Sequence, residues 1–285
     1  MKALAHCLKL SGKTAVMKTI CISLTLLLSL AFGQAQSGSG EPAKKTSTSL
    51  PKVENNAFIK GEKLKYRVHY GLIDAGTAVI EVKNEERQIA GRDVYHIVGT
   101  GKSRGAFDWF FKVRDRFETY MDEEGMFPWY FARQCDEGGY KINQNYTFYQ
   151  HKEEVETQSG DVYEVPLGVQ DMLSAYFYAR TIDFESLSLG DTITVPSFVD
   201  NEVYPLSIRY LGIDTVKVKS GTFSCMKFCP VVQEGRIFAN DEDLLVYISN
   251  DANRIPILAE AKILVGSIKM EITGWEGLAN PLAEL

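Results

Sequence analysis

Histidine and cysteine are scarce in this chain of 285 residues, which contains four of the first and five of the second. The histidines stand at positions 6, 69, 96 and 151, so no pair has the His-x-His or His-x-x-x-His spacing of a metal site. Ser174 lacks the flanking glycines of a hydrolase nucleophile elbow. We therefore predict no catalytic residue, no metal site and no cofactor.

A basic patch interleaved with aromatic residues is also absent, which argues against nucleic acid as a partner. The net charge is −6, and residues of both signs are interspersed along the chain. Hydrophobic residues make up 45% and charged residues 24%, which is typical of a globular protein. Aromatic residues reach 11%, and they either pack on the faces of strands or line a ligand cavity.

An apolar run at positions 20–32 has the features of a secretory signal peptide. Lys18 precedes it, and Gly33-Gln34-Ala35 places small residues at the two positions that a signal peptidase reads. The run is too short to span about 30 Å of hydrocarbon as a helix. We predict a signal peptide at 1–35, cleavage near Ala35, and a periplasmic or secreted mature chain with no membrane span. The sequence leaves open whether Met1 or Met17 is the initiator.

Cleavage would leave three cysteines, Cys135, Cys225 and Cys229. An extended strand over 223–232 would hold the last two about 13 Å apart, which is too far for a disulfide. The sequence therefore predicts three buried and reduced side chains. A bridge from Cys135 to one of the other two stays open.

Composition divides the rest of the chain into three parts. Residues 36–57 are rich in Ser, Gly, Thr, Lys and Pro and have almost no large apolar residue, which predicts a flexible linker. Residues 58–276 are predicted to form a single β-rich domain, and residues 277–285 a C-terminal tail.

Strand patterns dominate this domain. The first strand alternates strictly, so that Leu64, Tyr66, Val68 and Tyr70 share one face. In all, about fourteen segments read as strands, with turn signals roughly every ten residues. One helix is predicted over 169–180, where apolar residues at helical spacing form a stripe that should pack on the sheet. The predicted fold class is therefore mainly β: a strongly curved antiparallel sheet or incomplete barrel with one central helix.

Five short motifs extend over most of this domain, from about residue 58 to residue 274. They are Gly61-Glu62-x-Leu64-x-Tyr66, Asp74-Ala75-Gly76, Phe110-Phe111-Lys112-Val113-Arg114-Asp115, Val169-Gln170-Asp171-Met172-Leu173-Ser174-Ala175-Tyr176-x-Tyr178-x-Arg180 and Asp251-x-Asn253-Arg254-Ile255-Pro256. Together they resemble a family of uncharacterised exported bacterial proteins, a domain of unknown function that is common in Bacteroidetes. The resemblance implies export and no established activity. The pattern from Tyr247 to Pro256 is also similar to periplasmic lipoprotein-carrier half-barrels, in architecture only.

Two pairs of strand residues are candidate ligand contacts. Tyr66 and Tyr70 would belong to the wall of a concave ligand site. Arg114 and Arg116 leave the same face of a later strand, and arginine forks suit carboxylate and phosphate. The alternative for the arginines is a solvated strand face with cross-strand ion pairs.

Three further candidates lie on the predicted helix and in a loop. Asp171 and Arg180 are on the helix, although an Asp near a helix start is most often a cap. Arg254 lies in the loop at 251–254, whose Asp and Asn residues also favour a turn.

The leading hypothesis is an exported binding or carrier protein whose concave sheet holds a lipid or another apolar or amphiphilic envelope ligand. One alternative is a hydrolase or lyase that acts on a cell-envelope glycan, which would need two carboxylates about 5–10 Å apart in a polar groove. Another is a structural protein-interaction module that docks through a sheet edge. An apolar cavity would favour the carrier, and the absence of any cavity would favour the interaction module.

Overall fold

The computed structural model describes residues 49–231, 244–262 and 266–285. The predicted signal peptide, the cleavage site near Ala35 and positions 36–48 of the predicted linker lie outside the described residues. Within the described ranges, fifteen β-strands form one large antiparallel sheet that does not close into a barrel. The predicted fold class is thereby confirmed.

The elements follow in chain order. The strands are β1 Lys63–Tyr70, β2 Ile73–Val82, β3 Gln88–Ile89, β4 Arg92–Ser103, β5 Val113–Asp122, β6 Pro128–Glu137, β7 Tyr140–Tyr149, β8 Glu154–Thr157, β9 Val162–Glu164, β10 Thr192–Val199, β11 Glu202–Val218, β12 Gly221–Pro230, β13 Leu244–Ser249, β14 Pro256–Lys262 and β15 Ser267–Glu276. The helices are α1 Gly105–Phe110 and α2 Met172–Ala179, with one 3₁₀ turn at Gln150–Lys152.

Sheet order follows the chain from β10 to β15 and then from β1 to β9, with β3 paired to β4 beside this path. The two runs are joined because β15 pairs with β1. The first and last strands of the domain therefore lie in the middle of the sheet, and its two edges are β9 and β10. The connection between these edge strands carries α2.

Helix α2 begins three residues later than predicted because Asp171 caps it. Asp171 Oδ1 accepts hydrogen bonds from the backbone N–H groups of Leu173 (2.7 Å) and Ser174 (2.8 Å). Ser174 Oγ accepts one in return from the Asp171 N–H at 2.8 Å, which completes a capping box. The preceding Gln170 is extended and forms a parallel β-bridge to Ser197 of β10.

The inner face of the sheet, on which α2 packs, is a filled core. Leu173 and Phe177 of α2 are fully buried in the main hydrophobic cluster, together with Phe117 of β5 and Ile272 of β15. The predicted apolar stripe does pack on the sheet. The same packing places the helix directly against the inner face.

Side chains connect the β10 edge of the sheet to β6 and β7 across the inner side. The β10–β11 hairpin turns at Asp200-Asn201, where both residues have positive φ, as a tight hairpin requires. Asp200 accepts a hydrogen bond from Arg133 Nη2 of β6 at 2.6 Å. The Phe198 ring lies 5.0 Å from the ring of Tyr146 on β7, edge to face.

The predicted linker and tail both contribute to the domain in their described parts. Val53 packs against the main cluster, and its N–H donates to the Glu124 carbonyl at 2.8 Å. Ala57 is buried, and Leu278 and Leu282 pack against the same cluster. The folded unit therefore extends beyond the predicted limits of 58 and 276, because a few apolar side chains anchor segments of otherwise polar composition.

A buried ion pair joins the end of α2 to the start of β1. Arg180 follows the helix, Glu62 precedes the strand, and the two residues are 2% and 1% exposed. Their contact is bidentate, with Nη1 2.6 Å from Oε1 and Nη2 2.7 Å from Oε2. The guanidinium also donates to the carbonyl oxygens of Ala57 (3.0 Å) and Asn253 (2.9 Å). One side chain thus connects four separate segments.

Glu62→Ala should lower the free energy of unfolding by about 3–5 kcal/mol, because it leaves the Arg180 charge buried without its counter-ion. The matched control is Glu276→Ala, which removes a glutamate that pairs with Lys65 at the surface. An exposed pair of this kind contributes about 0–1 kcal/mol. Urea unfolding of both variants measures the difference, and equal losses would contradict the importance given to the buried pair.

Candidate ligand-binding groove

The outer face of β2 and β4–β7 bears a groove of about 610 Å³, a volume within the range of small-molecule sites. Strand alternation provides its walls as two rows of outward side chains, and the backbone between the rows forms the floor. The cross-strand register aligns Thr77, Lys102, Arg114, Asp136 and Lys141 in one row and Val79, Thr100, Arg116, Gln134 and Asn143 in the other. We call this site the basic groove.

The two rows carry four cations and one carboxylate, Asp136. Their formal charge is therefore +3, within a chain whose net charge is −6. Lys102 is exposed and has no side-chain hydrogen bond or ion pair to another described residue. Lys141 lies only loosely beside Asp136, with 3.8 Å between Nζ and Oδ2. Both lysines are available to an anion.

Arg116 is held in place by a network on the same face. Its Nη2 donates to Glu118 Oε2 at 2.8 Å, while Glu118 Oε1 accepts a hydrogen bond from Tyr120 at 3.0 Å. His96 lies between Glu118 and Glu85, with 2.7 Å from each ring nitrogen to a carboxylate oxygen. Burial raises the pKa of Glu118, but the bonds from Arg116, His96 and Tyr120 outweigh it and leave that pKa lowered. The arginine is thereby oriented before any ligand arrives.

Arg114 is oriented from the other end of the groove. Its Nη1 and Nη2 donate to the two carboxylate oxygens of Asp108 in α1, at 2.6 and 3.1 Å. Hydrogen bonds from Arg114 and Ser103 lower the pKa of Asp108 to about 2, so the carboxylate stays ionised. The fork has N–H groups left to donate, since it contains five donors in all.

Ser103 lies in the run Gly101-Lys102-Ser103-Arg104-Gly105, which has the Gly-x-Ser-x-Gly spacing of a hydrolase nucleophile. A strand precedes it and α1 follows, as at a nucleophile elbow. However, Ser103 is 5% exposed, its Oγ donates to Asp108 and it accepts the N–H of Val113 at 2.8 Å. A nucleophile needs an adjacent base. The partner that could serve as one is the Asp108 carboxylate, and its pKa of about 2 makes it a very weak base. The prediction of no catalytic residue overlooked this spacing, but the geometry around Ser103 does not support a nucleophile.

Of the seven predicted ligand contacts, Arg114 and Arg116 line the basic groove. Tyr66 does not: it is 1% exposed and belongs to the main hydrophobic cluster. Tyr70 is half-buried and packs against a small second cluster around Val68. The prediction of an accessible concave wall is therefore corrected for Tyr66, because α2 occupies the space in front of it.

The other three predicted contacts hold the fold together. Asp171 is fully buried, caps α2 and accepts the Thr119 hydroxyl at 2.6 Å; burial raises its pKa to about 6. Arg180 forms the buried pair with Glu62. Arg254 is half-buried, donates to the Arg180 carbonyl at 2.9 Å, and lies over the Phe184 ring. None of the three lines the groove.

Sequence reasoning missed most of the groove. Apart from the two arginines, the charged and amide side chains in its two rows are Lys102, Gln134, Asp136, Lys141 and Asn143. Each lies at an outward position of an alternating strand, which is a signal that the sequence contains. What brings them together is the register between five strands, which no single strand pattern specifies.

A cluster of acidic groups lies on the inner side of the groove floor. Asp115, Cys135 and Glu137 bring their ligand-type atoms within 4.8 Å of one another. Burial and the neighbouring Glu137 raise the pKa of Asp115 to about 7, and burial raises the pKa of the Cys135 thiol. Asp115 and Cys135 could ligate a cation only after losing their protons, which their raised pKa values oppose.

The cysteine prediction is confirmed for the described chain. Cys135, Cys225 and Cys229 are all buried and free. No disulfide constrains the sheet in this part of the chain.

Comparison with known proteins places the chain in a family. The family model described as a protein of unknown function, DUF3108, matches residues 65–273. That match covers more than half of the sequence, so the chain belongs to this family, and the resemblance predicted from its motifs is confirmed. No curated protein matches the sequence.

Several solved structures are similar in outline. A β-barrel-like protein of the DUF1849 domain from Brucella abortus covers 80% of this chain and 99% of its own, with 8% identity and a TM-score of 0.49. A protein from Parabacteroides distasonis, provisionally named a lipoprotein, covers 80% and 100% with 9% identity and a TM-score of 0.27. A protein from Bacteroides fragilis, provisionally named an exported protein with a YmcC-like fold, covers 80% and 100% with 10% identity and a TM-score of 0.28. With TM-scores below 0.5, these similarities carry no argument about function.

Among the described residues, no helix has the length and apolar character needed to cross a bilayer.

Asp115→Asn should stabilise the protein above pH 7 and have little effect near pH 4. The pKa of Asp115 is raised to about 7 in the folded chain, against an ordinary value near 3.9 in the unfolded chain. The native state therefore loses stability as pH rises between these values, by up to about 4 kcal/mol at 1.36 kcal/mol per pKa unit. Asparagine removes that loss. Urea unfolding at pH 4, 6 and 8 tests this, and a pH-independent difference between variant and native protein would refute it.

Proposed function

We propose that this member of the DUF3108 family is an exported, non-catalytic binding protein whose basic groove holds the phosphate-bearing head group of an envelope amphiphile. The single observation that carries the proposal is a groove of ligand size whose two rows present four Lys and Arg side chains and one carboxylate. The location outside the cytoplasm rests on the predicted signal peptide and is part of the proposal.

The chemistry of the groove suits a phosphate with a hydroxylated substituent. Arg114 and Arg116 are pre-oriented forks, and arginine binds phosphate through two parallel N–H donors. Lys102 adds a charge that no other described residue neutralises. Gln134 and Asn143 offer amide groups, which can donate to or accept from hydroxyl groups. Charge and neutral donors therefore lie side by side across five strands.

The other hypotheses receive less support from the described residues. A glycan hydrolase needs a pair of carboxylates in its groove. Two carboxylates line this groove, but Asp115 is buried beneath the floor and only Asp136 projects from the two rows. A carrier with an apolar ligand on the inner face would compete with α2 for the same surface. Docking by strand addition would use the edges, but β9 has only three residues and Gln170 already bridges to β10.

Soluble dihexanoyl phosphatidylglycerol is a suitable probe, since it presents an anionic phosphate head group without a membrane. Isothermal titration calorimetry of the native protein should show saturable binding. Lys102→Glu and Arg116→Glu should each weaken it by about ten-fold or more, because a hydrogen bond to a charged group contributes about 1.5–3 kcal/mol. Added salt should weaken it further.

Lys217→Glu is the matched control, because Lys217 is an exposed lysine on β11, away from the five groove strands. It makes the same change of charge and should leave the affinity unchanged. Dihexanoyl phosphatidylcholine, whose head group has no net charge, should bind more weakly than the anionic probe. An equal effect of all three substitutions, or no saturable binding, would defeat the proposal.

A further inference from the structure

Large apolar side chains protrude from one end of the sheet. Leu72 is 99% exposed, Trp109 83% and Phe110 61%. Ile73 and Tyr140 beside them are also more than half exposed. Single exposed apolar residues are ordinary, whereas a group of five that includes a tryptophan indicates an interaction surface. We call these five residues the apolar rim.

The rim is contiguous because its residues come from three neighbouring turns. Gly76 of β2 pairs with Ser103 of β4, and the N–H of Arg104 donates to the Ala75 carbonyl at 2.9 Å, so the β1–β2 turn lies beside α1. Beyond α1, the Phe111 ring fits against the β6–β7 turn.

That second junction is tight. A methyl group on Gly138 would lie 2.5 Å from a ring carbon of Phe111, so only glycine allows this approach. The Gly138 N–H also donates to the Lys112 carbonyl at 2.8 Å. The three turns therefore form one continuous surface at this end of the sheet.

Cations flank the rim. The segment from Thr100 to Arg116 contains five Lys or Arg residues and two Asp residues, a formal charge of +3. Arg104 and Lys112 in this segment are exposed and have no side-chain hydrogen bond or ion pair to another described residue. Asp108 of α1 and Asp74 of β2 are already paired with Arg114 and Arg67.

We infer that the apolar rim and its flanking cations dock the protein on the surface of an anionic lipid bilayer. Tryptophan and tyrosine favour the boundary between head groups and acyl chains, and nearby Lys and Arg are attracted to anionic lipids. A protein partner would have to satisfy Arg104 and Lys112 with carboxylates of its own, whereas an anionic bilayer supplies negative charge at every position. This attachment does not require the groove to be occupied, so it goes beyond the proposed function.

Vesicle co-sedimentation tests the inference. Vesicles of phosphatidylcholine mixed with phosphatidylglycerol should bind the native protein, and vesicles of phosphatidylcholine alone should bind it weakly. Trp109→Ser and Leu72→Ser should each weaken binding by about ten-fold, as expected for the loss of one buried apolar side chain. Emission from Trp109, the most exposed of the three tryptophans, should shift to shorter wavelength on binding.

Leu189→Ser is the matched control, since Leu189 is 74% exposed but precedes the edge strand β10 and belongs to none of the three turns. It should bind vesicles like the native protein. Trp109→Ser should still bind soluble dihexanoyl phosphatidylglycerol, which separates the rim from the groove. The inference is overturned if vesicles do not bind, if both lipid compositions bind equally, or if Trp109→Ser and Leu189→Ser behave alike. It is also overturned if the rim variants abolish self-association instead, because the partner would then be a second copy of the chain.

Discussion

The bidentate contact between Arg180 and Glu62 is the interaction on which the rest of the fold depends. A guanidinium and a carboxylate this deeply buried are tolerated only when their remaining hydrogen-bonding groups find partners. Here two backbone carbonyls, from Ala57 and Asn253, complete the set. The pair therefore fixes α2 against β1, the N-terminal segment and the β13–β14 loop at once, and it holds the helix on the inner face of an open sheet.

A helix held in this way determines which surface can bind a ligand. Leu173 and Phe177 take the place on the inner face that a carrier would keep for its cargo. Asp200 and Phe198 close the remaining gap by reaching β6 and β7 from the opposite edge. The proposed binding site lies instead on the outer face, where two rows of polar side chains form the walls of the groove.

The groove and the apolar rim are two parts of one end of the molecule. Arg114 belongs to the groove and bonds Asp108 of α1, while Trp109 of the same helix protrudes into solvent. A protein lying on a bilayer through its rim would hold the groove close to the head groups. The two proposals are therefore compatible in geometry, although each can fail without the other.

Much of this architecture could be predicted from sequence. Alternation identified most strands, the helical stripe identified α2, and the motif around Asp171 correctly suggested a cap. The family resemblance was carried by the same motifs. Local patterns of this kind report which face of an element is apolar, and that is enough to predict fold class.

The site was much harder to predict. Tyr66 and Arg180 were plausible ligand contacts because an aromatic row and a charged helix residue look alike whether they face a cavity or a core. Only tertiary packing decides between these two, since burial of Arg180 requires a distant partner at Glu62. In the same way, Lys102 and Lys141 become neighbours of Arg114 only through the register of four strands.

Photo-crosslinking with a phosphatidylglycerol analogue that carries a diazirine on its head group tests the central claim most directly, because it reports where the ligand lies. After digestion, mass spectrometry should find the label in peptides that contain residues 100–116 and 134–143, the strands of the basic groove. Label concentrated in α2 or β1 would show that the ligand enters the inner face. That result would contradict the account of the helix as a permanent part of the core.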